Sequence, residues 1–305
     1  MKKLLISFSG GETSAYMGIW LMENCSDQFE MIFVYANTGQ ENEETLIFIE
    51  KCSNHFKIPI VWVEADIIAG IGNGTRHKIV NFESADRTGK VFENFIAKYG
   101  IPNITNPQCS RELKLKAINS YAKSIEWKKY FTAVGIRVDE FDRMNKDYKK
   151  NRILYPLIDT KYIPTNKQQI NIFWKNQPFR LQLKGYQGNC KWCWKKSYKK
   201  LVTIAKENPE HFDFPKSMEE KYGNFIPEQR IEKYKIENKT LPKDITFFRN
   251  YKSAKDILEE SKTINFNIKD DSQNYIFQQD MFYNESCDIY SNCEDALDNN
   301  NKIVN

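Results

Sequence analysis

Across its first 160 residues the chain alternates short apolar runs with stretches of helical periodicity, and that alternation leaves few folds open. Residues 3–8 form an apolar run that ends on Ser9, Gly10 and Gly11, and a helical stretch over residues 15–22 follows. Residues 30–36 and 60–65 repeat the strand pattern, with helical spacing over 43–56 between them and Leu46, Ile47 and Ile49 on one side. Further on, residues 90–99 and 111–125 read as helices, 130–134 as a strand and 153–157 as a shorter one. Strands separated by helices cannot pair as hairpins. The expected fold is therefore α/β, a parallel sheet flanked by helices, with ligands beyond the carboxyl ends of the strands.

Beyond about residue 160 the alternation stops. Thr165, Asn166, Lys167 and Gln168 resemble a capping box opening a helix through Trp174, and further helices are expected over 194–207, 227–238 and 253–261. Three parts follow: an α/β domain over 1–160, a mostly helical region over 161–263, and an acidic tail over 264–305. The tail is rich in Asn, Asp and Gln without periodicity, and is expected to be disordered or loosely docked. A hydrophobic content of 41% in 305 residues suffices for a large core. Mean hydropathy of −0.64 and strand-sized apolar runs argue against a membrane partner. The motif beginning at Ser9 directly behind the first strand leaves no room for a signal peptide, so a cytoplasmic location is expected.

The cysteines and the charge are both unevenly placed. Seven cysteines are an odd number in a chain too large for a disulfide scaffold, and Cys190 with Cys193 forms a Cys-x-x-Cys pair suited to metal or redox chemistry. Cys25 and Cys52 lie in apolar helical settings and read as core. From residue 145 to 200 there are 14 Lys or Arg and only two acids, whereas residues 270–301 hold eight acids and no Lys or Arg. Blocks of opposite sign point to partners, or to one another.

Ser7-Phe8-Ser9-Gly10-Gly11-Glu12-Thr13-Ser14 joins a strand to a helix. Glycines there let backbone approach a phosphate, the amides of the helix's first turn point at it, and the hydroxyls of Thr13 and Ser14 add donors. The plain alternative is a glycine turn. His55, His77 and His211 are scattered and form no nucleophilic set.

Ser9-Gly10-Gly11-Glu12-Thr13-Ser14 is similar to the pyrophosphate loop of the adenine nucleotide α-hydrolases, in particular the phosphoadenosine-phosphosulfate (PAPS) reductase-like branch. Asn37-Thr38-Gly39 resembles that family's turn after the second strand. Cys109-Ser110-Arg111-Glu112-Leu113-Lys114 resembles its Cys-x-Arg-x-x-Lys segment, and Gly135-Ile136-Arg137-Val138-Asp139-Glu140 its Gly-Ile-Arg segment. Phe173-Trp174 and Gly188-Asn189-Cys190-Lys191-Trp192-Cys193 match later motifs in order. The resemblance covers residues 7 to about 197. It implies phosphate contacts from Ser7, Ser9, Gly10, Gly11, Thr13 and Ser14, and adenosine contacts near Asn37, Thr38 and Gly39. It also implies catalytic roles for Arg137, Asp139 and Lys114, with ATP or a related adenine nucleotide and Mg2+ as cofactors. Where the family often carries Lys-Asp, this loop has Glu12 and Thr13. Glu12 reads as a helix-start residue facing the dipole, with a magnesium ligand as the other reading.

Cys109, Cys190 and Cys193 supply three thiolates, suited to a 4Fe–4S cluster with one open iron, or to zinc with a distant fourth ligand. Relatives with four cysteines have a second one where this chain has Ser110, and Arg111, Lys114 and Lys191 would balance the negative charge. What the resemblance implies is α-phosphate chemistry that activates a substrate for sulfur transfer, of the tRNA-thiolation or DNA-phosphorothioation type, with a sulfur-donor protein as partner. A sulfonucleotide reductase and a non-catalytic nucleotide- or nucleic-acid-binding protein are the alternatives. The tail offers Cys287 and Cys293 but no Glu-Cys-Gly-His-type segment, and Glu12 speaks for the binding-only reading. Lysines interleaved with Tyr186, Trp192, Trp194 and Tyr198 suit a nucleic acid strand, unless the rings pack inward. The acidic tail is expected to occupy this basic patch in the free protein.

Overall fold

The computed structural model of the protein describes residues 1–273 apart from 69, 71, 72, 189 and 267. Tail residues 274–305, with Cys287 and Cys293, and Asn189 of the cysteine motif lie outside the described residues. No helix among the described residues is long and apolar enough to cross a membrane.

Six strands form one sheet in the order β4-β3-β2-β1-β5-β6, with β1 (Lys2–Ser7) near the middle. β1 pairs in parallel with β2 (Phe29–Asn37) and β5 (Phe131–Ala133), β2 with β3 (Ile60–Ile67), and β5 with β6 (Ile153–Leu154). The expected parallel α/β sheet is thus present. Sequence reading missed β4 (Thr75–Val80), which lies antiparallel on β3 at the edge. It carries Arg76, His77 and Lys78 over an exposed surface, so it lacks the apolar pattern of the buried strands and has the charges that blunt a sheet edge.

The crossovers cover both faces. α1 (Glu12–Cys25) and α2 (Glu43–Phe56) enclose one core with Ile6, Phe33, Tyr35 and Trp62, joined by Trp174 of α5 (Lys167–Lys175). Leu46 and Ile49 are buried there, but Ile47 is exposed, because adjacent helical positions diverge by about 100°. Cys25 and Cys52 are core, as expected. On the other face lie α3 (Lys90–Tyr99) and α4 (Lys116–Ser124), the latter preceded by a π-helical segment, Ser110–Leu115.

The C-terminal helices α6 (Tyr198–Glu207), α7 (Asp213–Tyr222) and α9 (Ala254–Thr263) share this second core. Leu201, Ile204, Phe212 and Ile257 pack in one cluster with Val34, Ala36 and Val63 of the sheet. α8 (Glu228–Ile236) buries no residue. α7 was missed in the sequence, where Pro215 and the polar run around it mask the pattern. α6 begins at Tyr198 rather than 194, because Ser197 caps it by accepting from Lys200 N. The capping box of α5 is Asn166 with Gln169, one residue later than read. Gln169 N donates to Asn166 Oδ1 (3.0 Å) and Asn166 N to Gln169 Oε1 (2.8 Å).

Candidate functional site

Strand order reverses direction at β1, so the loops leaving β1 and β5 diverge and open a crevice at the carboxyl rim. A cavity of about 210 Å³ lies there, lined by Ser7, Ser9, Gly10, Gly11 and Thr13 from the first loop and by Gly135 and Arg137 from the other. Gly10 has φ of +85°, and a Cβ on it would sit 2.6 Å from Thr45 Cγ2. Only glycine fits that turn. A Cβ on Gly135 would meet Ser14 Cα at 3.1 Å, so this glycine lets the two loops touch.

Within the loop the hydroxyls divide their work. Ser14 donates to Gly11 O (3.0 Å) and accepts from Ser9 N (3.0 Å), bracing the turn from behind rather than facing the cavity. No side chain caps α1 at Gly11. Glu12 turns the opposite way. Arg180 grips its carboxylate with Nε and Nη2, each at 2.9 Å, Leu181 N donates to it at 3.2 Å, and Trp174 Nε1 donates to Glu12 O at 3.0 Å. The Glu12 carboxylate at the start of α1 is thus neutralised by a cation 168 residues away. Sequence had no signal for Arg180.

The cavity wall carries seven Lys or Arg (Lys114, Arg137, Arg143, Lys167, Lys184, Lys196, Lys200) against Glu12, Glu41 and Glu140. Each carboxylate has a cationic partner: Glu12 with Arg180, Glu41 with Lys114 at 3.4 Å, and Glu140 with Arg137 and Arg143. Arg137 is more constrained than the sequence implied. It is 5% exposed, its Nε and Nη2 hold Asp139, and its Nη1 donates to Thr13 Oγ1 at 3.2 Å. Arg137, held by Asp139, therefore braces the loop's Thr13 and is itself part of the cavity wall.

Asn37, Thr38 and Gly39, expected near adenosine, do not line the larger cavity. Asn37 is wholly buried and spends its amide on Glu64 Oε1 (2.7 Å) and Asp86 O (2.9 Å). Gly39, at φ +77°, packs so closely on Asp86 that a Cβ would lie 2.3 Å from its Oδ2. Thr38 faces a second, smaller cavity of about 30 Å³, lined also by Cys109, Cys190, Cys193, Phe92, Trp192 and Trp194.

That second cavity gathers the three cysteines from segments 80 residues apart. Cys109 stands at the start of the π-helical segment. The Cys-x-x-Cys turn is sewn to the loop after β2 by Lys191 N donating to Gln40 O (2.9 Å) and by a bridge between Glu41 and Cys190. Burial pushes the Cys190 thiol up to about 12, with Glu41 adding to the rise and Lys114 opposing it. Thr38 Oγ1 lies 3.7 Å from Cys190 Sγ. Among the described residues no three His, Cys, Asp or Glu converge as ligands of a single metal ion. Even so, three of the residues lining the cavity bring thiols, which suit a sulfur-rich group, and Trp194 Nε1 is buried beside them without a hydrogen-bond partner. Lys114 lines both cavities and Glu41 reaches from one to the other.

The basic stretch gives a correction. Tyr186, Trp192 and Trp194 are buried, with Trp192 stacked on Phe214 at 5.7 Å and edge-on to Phe247 at 4.7 Å. These rings build the core and are not available to stack on bases. Lys184, Lys196 and Lys200 line the first cavity instead. The described start of the tail docks beside them: Gly185 N donates to Asp270 Oδ1 (2.8 Å), and Arg180 Nη2 donates to Ser272 O (2.6 Å).

Fold and site together define an α/β protein with a cation-lined crevice at the sheet's switch point and a thiol-lined cavity beside it. No family model matches the chain. It is 32% identical over 208 residues to an uncharacterized nin region protein, ORF290, of Escherichia phage lambda, which covers 67% of this chain and 69% of that protein. The chain belongs to the family of that phage protein. It is also 26% identical over 161 residues to an uncharacterized protein of Methanocaldococcus jannaschii, covering 50% of this chain but 32% of that longer one.

Proposed function

We propose that the protein binds ATP or a close relative in the larger cavity and acts at its α-phosphate, activating a substrate for sulfur transfer. The observation that carries this reading is the pairing of a glycine turn and uncapped helix start with an excess of cations, at the switch point of a parallel sheet. Backbone amides and hydroxyls of Ser9, Gly10, Gly11 and Thr13 would hold phosphates, and Lys114, Lys196 and Lys200 would face their charge. Arg137 keeps Thr13 aimed and adds positive charge where the leaving pyrophosphate would accumulate negative charge. Magnesium would come in on the nucleotide's own oxygens. Glu12 does not fit as its ligand, because Arg180 already holds both carboxylate oxygens.

Cys109, Cys190 and Cys193 would hold an iron–sulfur cluster, with zinc as the other thiolate-bound candidate, and the group when bound would supply sulfur or a site for a substrate sulfur. Lys114, between the two cavities, is positioned to steady negative charge on either side. The Glu12–Arg180 pair also removes the main sequence feature that spoke for a binding-only protein.

Two measurements test the reading on the full chain. Incubation with ATP labelled in its terminal phosphates should release pyrophosphate once an acceptor is present, whereas phosphate release alone would count against α-phosphate chemistry. Protein purified without oxygen should show a broad absorption band at about 400 nm, and a colourless, zinc-containing protein would replace the cluster by zinc.

A further inference from the structure

Tyr35 is wholly buried near the end of β2, yet its hydroxyl has no hydrogen-bond partner. Its ring is fixed from two sides. Trp62 meets it edge-to-face at 4.9 Å, and the Gly10 turn lies over it, so that a Cβ on Gly10 would sit 3.5 Å from Tyr35 Cε2. Tyr35 also lines the larger cavity, together with Ser9, Gly10 and Thr13. A buried hydroxyl without a partner is costly, and phenylalanine would fill the same core without that cost. The protein offers this hydroxyl no acceptor, and the cavity that Tyr35 lines is where one can be brought to it.

We infer that the Tyr35 hydroxyl donates a hydrogen bond to a phosphoryl oxygen of the bound nucleotide. The inference rests on the nucleotide reading above and adds a residue that neither the loop motif nor the cations supply. Tyr35 sits beneath Gly10, the glycine that the phosphates would approach. An oxyanion is the acceptor best matched to a neutral donor in a dry wall, since charge-assisted hydrogen bonds are the stronger ones. The surrounding cations and the loop amides give the same phosphate its other contacts. Tyr35 is in this sense a binding residue whose hydroxyl waits for ligand.

The test is calorimetric titration of the full chain and of Tyr35→Phe with ATP, inorganic pyrophosphate and adenosine, alongside melting of both proteins without ligand. Tyr35→Phe should weaken ATP and pyrophosphate about tenfold, leave adenosine unchanged, and melt no lower than the wild-type chain. Equal ATP affinity in the two proteins overturns the inference while the nucleotide reading stands. An equal loss for adenosine overturns the assignment to phosphate. A ligand-free variant that melts several degrees lower reveals an internal partner and also overturns it. A wild-type chain that binds neither ATP nor pyrophosphate ends the nucleotide reading and this inference together.

Discussion

The two cavities at the rim of the sheet are neighbours made of opposite materials. The larger is walled by backbone turns, hydroxyls and seven cations, the smaller by three thiols and the rings of Phe92, Trp192 and Trp194. One suits a ligand that brings several negative charges, since each carboxylate in its wall is already paired. The other suits a soft, sulfur-rich group in apolar surroundings, where burial keeps Cys190 protonated until something displaces its proton. The difference teaches that charge and softness have been separated across a single wall, where Lys114 lines both cavities and Glu41 of the larger accepts from Thr38 of the smaller.

The largest expected effects test whether the division holds. Cys190→Ala should abolish bound iron or zinc, measured by metal analysis, while ATP affinity by calorimetry changes less than about twofold. Loss of both would mean that the cavities are one site. Gly10→Ala should act on the other side alone. Its Cβ would collide with Thr45 at a positive φ, so ATP affinity should fall by more than about tenfold, with metal content retained.

A third effect separates folding from binding. Arg180→Met leaves the Glu12 carboxylate buried without its cation, and should cost about 3–5 kcal/mol in denaturant unfolding. Arg180→Met with Glu12→Gln should recover much of that loss. If the double variant is no better than the single, Arg180 matters for something other than Glu12.

The smallest effect is a pH slope behind the thiol cavity. Glu219 of α7 accepts from Phe247 N (2.9 Å) and Ala254 N (2.8 Å), and Phe247 packs on Trp192. Burial raises its carboxyl from the ordinary 4.5 to about 7, although the two backbone donors oppose the shift. A raised acid binds its proton more tightly in the folded state. Its contribution is therefore full below about pH 4.5 and lost as pH rises through about 7, with a slope of at most about 1.4 kcal/mol per pH unit. Melting followed by tryptophan fluorescence should show stability declining between pH 5 and 7, and Glu219→Gln should flatten the curve. An unchanged slope in that variant would assign the pH dependence to another group.

Much of the sheet was legible because buried parallel strands are continuous apolar runs, and β1, β2, β3 and β5 read that way. The edge strand β4 was not, since its residues face water and carry charge. In the site, the β1–α1 loop announced itself through Gly10 and Gly11, and Cys190 with Cys193 through their spacing, whereas Cys109 was singled out only by the resemblance of its Cys-x-Arg-x-x-Lys segment. Arg180, Tyr35 and Glu41 gave no such signal. Each matters through a neighbour distant in sequence: Arg180 through Glu12, Tyr35 through Gly10, and Glu41 through Lys114 and Cys190.

Local sequence determined the alternation of strands and helices, the glycine turn after β1 and the inventory of thiols and cations, because propensity, φ restrictions and periodicity act over a few residues. Tertiary packing alone decided which lysines line a cavity, that Trp192 and Trp194 turn inward, that Glu12 is neutralised, and that Cys109 lines the same cavity as Cys190 and Cys193. Those outcomes depend on which surfaces of the sheet the C-terminal helices cover, and burial of that kind is a property of the whole chain.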